Sequence, residues 1–167
     1  MRLEIYWLQS PANGRLGTMP KPRGEDWLET EVQALRQAGV DILVSLLTYP
    51  ERVELGLTEE VLWCQTYGID FISFPIEDRS VPTSKIETSK LVRELAALLD
   101  KGKNIVVHCR AGIGRASLIA TSILTTYGIT AEEAFSMIEE RRGLPVPDTQ
   151  EQRDWVLNFE KMYSLLN

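Results

Sequence analysis

Eight consecutive residues, His108 to Arg115, combine the side chains and backbone needed to bind and attack a phosphate group. The segment reads HCRAGIGR, in which five residues separate a cysteine from an arginine. Gly112 and Gly114 allow the backbone to curl so that its N–H groups converge on an anion. Arginine can hold two phosphate oxygens at once, whereas lysine offers a single point charge. The spacing predicts a phosphate-binding loop formed by Arg110, Ala111, Gly112, Ile113, Gly114 and Arg115.

The same loop is expected to activate Cys109 as a nucleophile. Inward N–H groups, a helix N-terminus and the Arg115 guanidinium all favour the thiolate over the thiol, whose ordinary pKa is about 8.5. A thiolate at neutral pH is a strong nucleophile. A cysteine at the end of a buried strand is often only a small apolar residue, but the glycines and the arginine at this spacing favour the catalytic interpretation.

A rigid frame must position this loop, and the surrounding sequence alternates strands with helices. Residues 10–24, which are rich in proline and glycine, are predicted to form a loop. Thr58 is predicted to be a helix N-cap, and Asp148 with Glu151 has the spacing of a capping box. Hydrophobic patterning predicts strands at 3–9, 41–47, 70–76 and 104–109, and helices at 25–38, 58–67, 84–101, 115–127, 130–141 and 149–165.

This order of elements predicts an α/β fold, with a central, mainly parallel sheet flanked by helices. Ligands of such sheets bind beyond the carboxyl ends of the strands. The loops at 77–84 and 110–115 each follow a predicted strand, so we expect them to meet at one edge of the sheet. No internal repeat or composition shift marks a boundary, and residues 1–167 are expected to form a single domain.

Cleavage of a phosphate ester also requires an acid that protonates the departing oxygen. His108 is a poor candidate, because a strand residue that precedes Cys109 should point away from the site. We interpret His108 as a buried histidine that hydrogen bonds to the loop backbone and steadies the thiolate. The acid is expected to be a carboxylic acid on a mobile loop near the edge of the sheet.

These features resemble the protein tyrosine phosphatase superfamily, and in particular its compact dual-specificity branch, which includes the kinase-associated phosphatases. HCRAGIGR is similar to the His-Cys-x5-Arg signature of that family, and the likeness extends from about residue 25 to the end. The resemblance implies a cysteine-phosphatase fold and hydrolysis through a phosphocysteine intermediate on Cys109, without metal or cofactor. It also implies a phosphorylated protein or peptide as substrate, with phosphotyrosine and, in a shallow pocket, phosphoserine or phosphothreonine as the target.

The resemblance assigns the acid to a particular loop. The segment PIED at 75–78 is similar to the Pro-Ile-x-Asp acid loop of the kinase-associated and small microbial members. Asp78 is therefore the expected general acid, and Glu77 is the alternative. An ordinary turn is the other interpretation of Asp78, because aspartate is favoured in turns for its own hydrogen bonding.

A second loop is similar to the one that positions the hydrolytic water in related phosphatases. It covers residues 142–152, RGLPVPDTQEQ, and it makes Gln152 the expected water-positioning residue, with Gln150 as the alternative. A polar, exposed start of a helix is the competing interpretation for both glutamines.

One position departs from the family pattern. The residue after the signature arginine is usually serine or threonine, whose hydroxyl stabilises the leaving thiolate, but here it is Ala116. Ser117 follows, yet one step along a helix rotates a side chain by about 100°. We therefore expect slowed breakdown of the phosphocysteine, without loss of the first step.

Composition limits the partners and the location. With 18 basic and 24 acidic residues the net charge is −6, so binding to nucleic acid or to an anionic membrane is not expected. No apolar run is long enough to cross a bilayer. Cys64 and Cys109 are too few for a disulfide scaffold, and one histidine excludes the usual zinc spacings. We expect a cytoplasmic monomer without a metal; Cys64 is predicted to be a core residue, and a redox partnership with Cys109 is left open.

Three other classes of protein use related loops. A non-catalytic phosphate-binding module would commonly lack the nucleophile or the acid, and both are present here. A phosphoinositide phosphatase typically carries extra lysines in the loop, whereas this loop has only Arg110 between Cys109 and Arg115. Sulfur-transfer and arsenate-reducing enzymes also place cysteine in an anion-binding loop, but Asp78 and His108 fit phosphatase chemistry better.

Overall fold

Five strands form one sheet in the computed structural model, which describes residues 3–166 apart from the side chain of Leu166. Their order across the sheet is β1-β2-β5-β3-β4. Every neighbouring pair is parallel except β1 with β2. The predicted central, mainly parallel sheet is confirmed, and its middle strand is the one that carries the cysteine. The strands are β1 (Tyr6–Leu8), β2 (Leu16–Pro20), β3 (Ile42–Ser45), β4 (Asp70–Ser73) and β5 (Ile105–Cys109).

Helices cover both faces of the sheet, as the alternating pattern predicts. A 3-10 turn at Glu25–Trp27 precedes the first helix, so the predicted helix at 25–38 consists of two parts. None of the helices in the described part of the chain is long and apolar enough to cross a membrane. The helices are α1 (Leu28–Gln37), α2 (Tyr49–Glu54), α3 (Glu60–Thr66), α4 (Lys85–Asp100), α5 (Arg115–Thr125), α6 (Ala131–Arg142) and α7 (Gln150–Leu166).

One strand lies where a loop is predicted. β2 occupies the middle of segment 10–24, and the strand predicted at 3–9 is confined to β1. Gly17 and Pro20 conceal β2 in the sequence, because both residues are unfavourable inside strands. Pro20 is tolerated at the end of the strand, and Leu16 and Met19 are buried in the cores on opposite faces of the sheet.

Helix α2 is also absent from the predicted pattern, and two predicted caps are wrong. A capping box between Thr48 and Glu51 starts α2, which has only six residues and little periodicity to detect. Helix α3 follows Glu59 rather than Thr58. The capping box of α7 uses Thr149 and Gln152, one residue later than the predicted pair of Asp148 and Glu151. In that box the Gln152 N–H donates to Thr149 Oγ1 (3.1 Å), and the Thr149 N–H donates to Gln152 Oε1 (3.2 Å).

Two hydrophobic clusters fill the space on either side of the sheet. One cluster packs α4, α5, α6 and α7 against residues such as Val44 and Val107. The other packs α1 and α3 against Leu43 and Val106. Neighbouring residues of a strand point to opposite faces, so β3 and β5 are buried on both sides. These two strands therefore form a rigid base for the loops at their carboxyl ends.

We expect Val44→Ala to lower the free energy of unfolding by about 2 kcal/mol, because it removes two fully buried methyl groups and leaves a cavity in the centre of the sheet. Chemical denaturation measures the loss. Val53→Ala is the matched control, since the same change at a side chain that is 51% exposed should cost less than about 0.5 kcal/mol. Equal losses in the two variants would contradict the burial described here.

Candidate active site at the carboxyl end of β5

The loop of residues 110–114 joins the last residue of β5 to the first residue of α5. Gly112 has a φ of 71°, which favours glycine. A Cβ at Gly112 would also lie 2.6 Å from backbone atoms of Met19 and Pro20, so the loop packs directly on the end of β2. Cys109 is only 3% exposed. The cysteine therefore lies at the base of a tightly held loop, where the sequence predicts it.

Arg142 braces this loop from outside. Its Nη2 donates to the Ala111 carbonyl (2.9 Å), and its Nε donates to the Gly112 carbonyl (3.3 Å). Carbonyls that are held outward favour a loop whose N–H groups face the opposite way, toward a bound anion. Sequence reasoning did not single out Arg142, because the contact exists only once the end of α6 has packed beside the loop.

Arg115 is 1% exposed and makes four hydrogen bonds with short distances. Nη1 donates to Glu51 Oε1 (2.7 Å) and to the Ile76 carbonyl (2.8 Å). Nη2 donates to Glu51 Oε2 (3.0 Å) and to Asp78 Oδ1 (3.0 Å). Arginine has five N–H donors, and Nε–H is the one that has no partner among the described residues.

Burial and ion pairing have opposite effects on the pKa values of Arg115 and Glu51. Burial lowers the pKa of Arg115, but the Glu51 hydrogen bonds and the negative charges of Cys109, Glu51 and Asp78 outweigh it and raise the pKa above its usual value. Burial likewise raises the pKa of Glu51, but hydrogen bonds from Arg115 and Thr48 outweigh it and hold the pKa below its usual value. Both groups therefore stay charged at neutral pH. Glu51 was missed by sequence reasoning because α2 was missed.

The acid loop reaches the same guanidinium. Asp78, whose side chain is 50% exposed, is the carboxylate that contacts Arg115, while Glu77 is exposed. Arg79 has a φ of 59° and lies 3.9 Å from Asp148 across the site. The structure therefore brings Cys109, Arg115 and Asp78 together at one edge of the sheet, as the strand order predicts.

The two glutamines lie in different surroundings. Gln152 is fully buried; its Oε1 accepts from the N–H groups of Asp148 and Thr149, and its Nε2 donates to the Ser80 carbonyl in the acid loop (3.0 Å). Gln150 is exposed and donates to Asp154. A Cβ on Gly114 would overlap the Asp148 carboxylate and lie 2.9 Å from Gln152 Oε1. The start of α7 therefore rests on the signature loop.

The mouth of the site contains less free positive charge than its two arginines suggest. Arg110 Nη2 donates to Glu54 (2.9 Å), and Arg110 Nη1 lies 3.7 Å from Glu51. The hydrogen bond and the charge of Glu54 raise the pKa of Arg110. Arg79, the other cation at the mouth, faces Asp148.

The remaining thiol lies on the other side of the sheet. Cys64 belongs to the cluster around α1 and α3, whereas Cys109 belongs to the cluster around α5. Both are free cysteines. Burial, together with the charge of Glu60, raises the pKa of Cys64 to about 12. The core position predicted for Cys64 agrees with this placement, and the sheet between the two thiols separates them.

Known proteins resemble this chain in sequence and in fold. Residues 49–162 match the sequence model of the dual specificity phosphatase catalytic domain. Protein tyrosine phosphatase PRL-1 of Leishmania major is 28% identical over 144 residues, which cover 81% of this chain and 77% of that protein. Cyclin-dependent kinase inhibitor 3 of Rattus norvegicus is 23% identical over 134 residues, which cover 79% of this chain and 63% of that protein.

Solved structures share the architecture over nearly the whole chain. Kinase associated phosphatase with its catalytic cysteine replaced by serine has a TM-score of 0.86 at 19% identity, and the match covers 98% of this chain and 97% of that one. A protein tyrosine phosphatase (putative) from Leishmania major has a TM-score of 0.71 at 25% identity, over 94% and 98% of the two chains. At 19% identity, the first of these similarities shows the fold alone.

We expect Glu51→Gln to lower the free energy of unfolding at pH 7 by about 3 kcal/mol, because it leaves Arg115 buried with less compensation. The pKa of Glu51 is depressed in the folded state, so its contribution is complete above the ordinary glutamate pKa of about 4.3 and is lost as the pH falls through the lower folded value. Denaturation of both proteins from pH 7 to pH 3 measures this, and the difference should shrink toward acid.

Glu54→Gln is the matched control, because Glu54 lies on the same helix and bonds to Arg110 with a side chain that is 62% exposed. An exposed pair is worth less than about 1 kcal/mol. A constant Glu51→Gln deficit at every pH would show that the lost charge is not its cause.

Proposed function

The chain belongs to the dual specificity phosphatase family, and from this premise we propose that Cys109 is the nucleophile of its reaction, Arg115 the phosphate ligand and Asp78 the general acid. The chain is a cysteine-based protein phosphatase. The observation that carries the residue assignment is one set of contacts: Arg115 starts α5 directly after the Cys109 loop and binds Asp78 at 3.0 Å. These contacts support an arrangement in which one phosphate ester reaches the proposed nucleophile, phosphate ligand and acid together.

Phosphate binding and release of the acid are coupled in this proposal. Only Nε–H of Arg115 is uncommitted, so a phosphate that binds two oxygens through Nε and Nη2 must displace Asp78 from Nη2. Away from the Arg115 cation and beside the phosphate, the displaced Asp78 carboxylate takes up a proton from solvent. The resulting carboxylic acid then lies beside the leaving oxygen. Cys109 Sγ attacks phosphorus, the bond from phosphorus to the leaving oxygen breaks, and Asp78 gives its proton to that oxygen.

Water completes the cycle by attacking the phosphocysteine. Asp78, now ionised, takes a proton from the water, the sulfur–phosphorus bond breaks, and Cys109 returns as a thiolate. For the position of this water we propose the second N–H of Gln152 Nε2, because Oε1 and the other N–H are committed to the helix cap and to Ser80. Gln150, the alternative, is bonded to Asp154 on the exposed side of α7.

We propose phosphorylated proteins or peptides as substrates, with phosphotyrosine accepted and phosphoserine or phosphothreonine accepted as well. The phosphate would be recognised by the loop at 110–115, by Arg115 and by backbone N–H groups, rather than by charge at the mouth, where Arg110 and Arg79 already face carboxylates. We also propose that the protein acts as a monomer in the cytoplasm, where reducing conditions keep a thiolate nucleophile reduced.

We expect phosphate release from p-nitrophenyl phosphate, with a chelator present and no added metal, and its complete loss in Cys109→Ser. The serine hydroxyl is too weakly acidic to replace the thiolate. Activity of the mutant, or loss of wild-type activity with the chelator, would remove Cys109 from the proposed role. Phosphotyrosine and phosphothreonine peptides and a phosphoinositide, assayed in parallel, test the substrate class.

We expect Ala116→Ser to accelerate hydrolysis of the phosphocysteine by about tenfold while leaving its formation unchanged. The Ala116 side chain is fully buried at the start of α5, directly after Arg115. A hydroxyl there would stabilise the leaving thiolate by one hydrogen bond to a charged group, worth about 1.5 kcal/mol. Rapid-quench kinetics separate the two steps, and an unchanged or slower second step would contradict this expectation.

A further inference from the structure

A buried acid–base pair lies behind the signature loop, in the core on the far side of the sheet from Cys109. Glu60, the first residue of α3, and His108 on β5 are both completely buried. Glu60 Oε2 lies 2.7 Å from His108 Nε2. Glu60 Oε1 has no hydrogen-bond partner among the described residues. The proposed reaction does not use Glu60, and a buried carboxylate costs several kcal/mol unless it is paired.

Each nitrogen of the His108 ring has an oxygen beside it. Nδ1 lies 3.4 Å from the carbonyl oxygen of Cys109, which can only accept a hydrogen bond. On the other side, an ionised Glu60 can also only accept. A ring that donates from both nitrogens is an imidazolium, so the contacts fit a positive His108 between the negative Glu60 and the backbone of the nucleophile.

We propose that Glu60 is a positioning residue of the phosphatase, which keeps His108 positively charged and thereby favours the thiolate form of Cys109. This inference rests on the proposed role of Cys109 as nucleophile. Glu60 contacts the ring nitrogen that faces away from Cys109, and the other ring nitrogen contacts the Cys109 carbonyl. A positive ring in this position is nearer to the Cys109 backbone than the carboxylate is, so its attraction for a thiolate on Cys109 would outweigh the repulsion from Glu60. Loss of the carboxylate would neutralise the ring and remove that attraction.

The other charged groups around this arrangement have distinct partners. On the side of Glu60, Cys64 is the titratable neighbour, and its thiol stays neutral because its pKa is about 12. No lysine or arginine in the described part of the chain forms an ion pair with Glu60. On the side of Cys109, Arg115 faces Glu51 and Asp78. In this proposal, His108 is therefore the cation that pairs with Glu60.

The ionisation of Cys109 tests this directly, through the rate of alkylation by iodoacetamide across pH. We expect Glu60→Gln to raise the thiol pKa by about one unit, so that alkylation is about tenfold slower below the wild-type pKa and equal well above it. The acid limb of kcat/KM for p-nitrophenyl phosphate should move by the same amount. A purely structural defect would instead lower both rates by one factor at every pH.

Glu31→Gln is the matched control, because Glu31 is a buried carboxylate on the same side of the sheet that bonds to Arg23 instead. We expect its alkylation profile to equal that of the wild type. A folded Glu60→Gln protein with an unshifted profile would overturn the proposal. If the wild type cleaves no phosphate ester while Glu60→Gln still shifts the Cys109 titration, the proposed function is rejected and the effect of Glu60 on Cys109 is supported.

The chain contains a single histidine, so nitrogen NMR of the wild-type protein with labelled histidine provides a second measurement that does not depend on the folding of any variant. We expect both ring nitrogens of His108 to be protonated from pH 6 to pH 8. A neutral ring in that range, with one unprotonated nitrogen, would overturn the proposal even if Glu60→Gln fails to fold.

Discussion

A buried guanidinium must find an acceptor for nearly every N–H, and at Arg115 this requirement joins three parts of the chain. Its donors bind Glu51 of α2, the Ile76 carbonyl after β4 and Asp78 in the acid loop. Because these contacts converge on one side chain, the position of Asp78, the proposed acid, depends on the same group that would hold the phosphate. The Arg115 cation thus holds the surrounding parts of the site in place before any ligand binds.

The two carboxylates that face Arg115 and His108 come from the same segment of the chain. The segment between β3 and β4 contains both α2, which presents Glu51 to Arg115, and α3, which presents Glu60 to His108. β3 lies between β5 and β4 in the sheet and is parallel to both, so the segment that leaves the carboxyl end of β3 begins beside the loop that follows β5. This topology places α2 and α3 where their carboxylates can face Arg115 and His108, the two ends of the signature segment.

The sequence predicted what depends on local pattern. HCRAGIGR and the alternation of strands and helices located Cys109, Arg115 and the edge of the sheet where Asp78 meets them. Sequence patterns did not predict the contacts of Glu51, Glu60 and Arg142, because each of these residues contacts a partner that is distant in the sequence. Helix α2 was not predicted because six residues are too few to show a helical period. Strand β2 was not predicted because it contains Gly17 and Pro20, which are unfavourable in strands. The capping box was misplaced because Thr149 and Gln152 fit the pattern as well as their neighbours do.

Because Ala116 stands where the family usually has serine or threonine, other groups must stabilise a thiolate on Cys109. Ser117, the next residue, is buried with its hydroxyl unpartnered, so the rotation of one helical step has moved that group out of reach of any described acceptor. In the proposed reaction, the charge on Cys109 is then balanced by loop N–H groups, the helix N-terminus and Arg115 on one side, and by the His108 ring on the other. A phosphatase without the hydroxyl would depend more on these remaining groups, and His108 is the one that the proposal couples to a single buried carboxylate, Glu60.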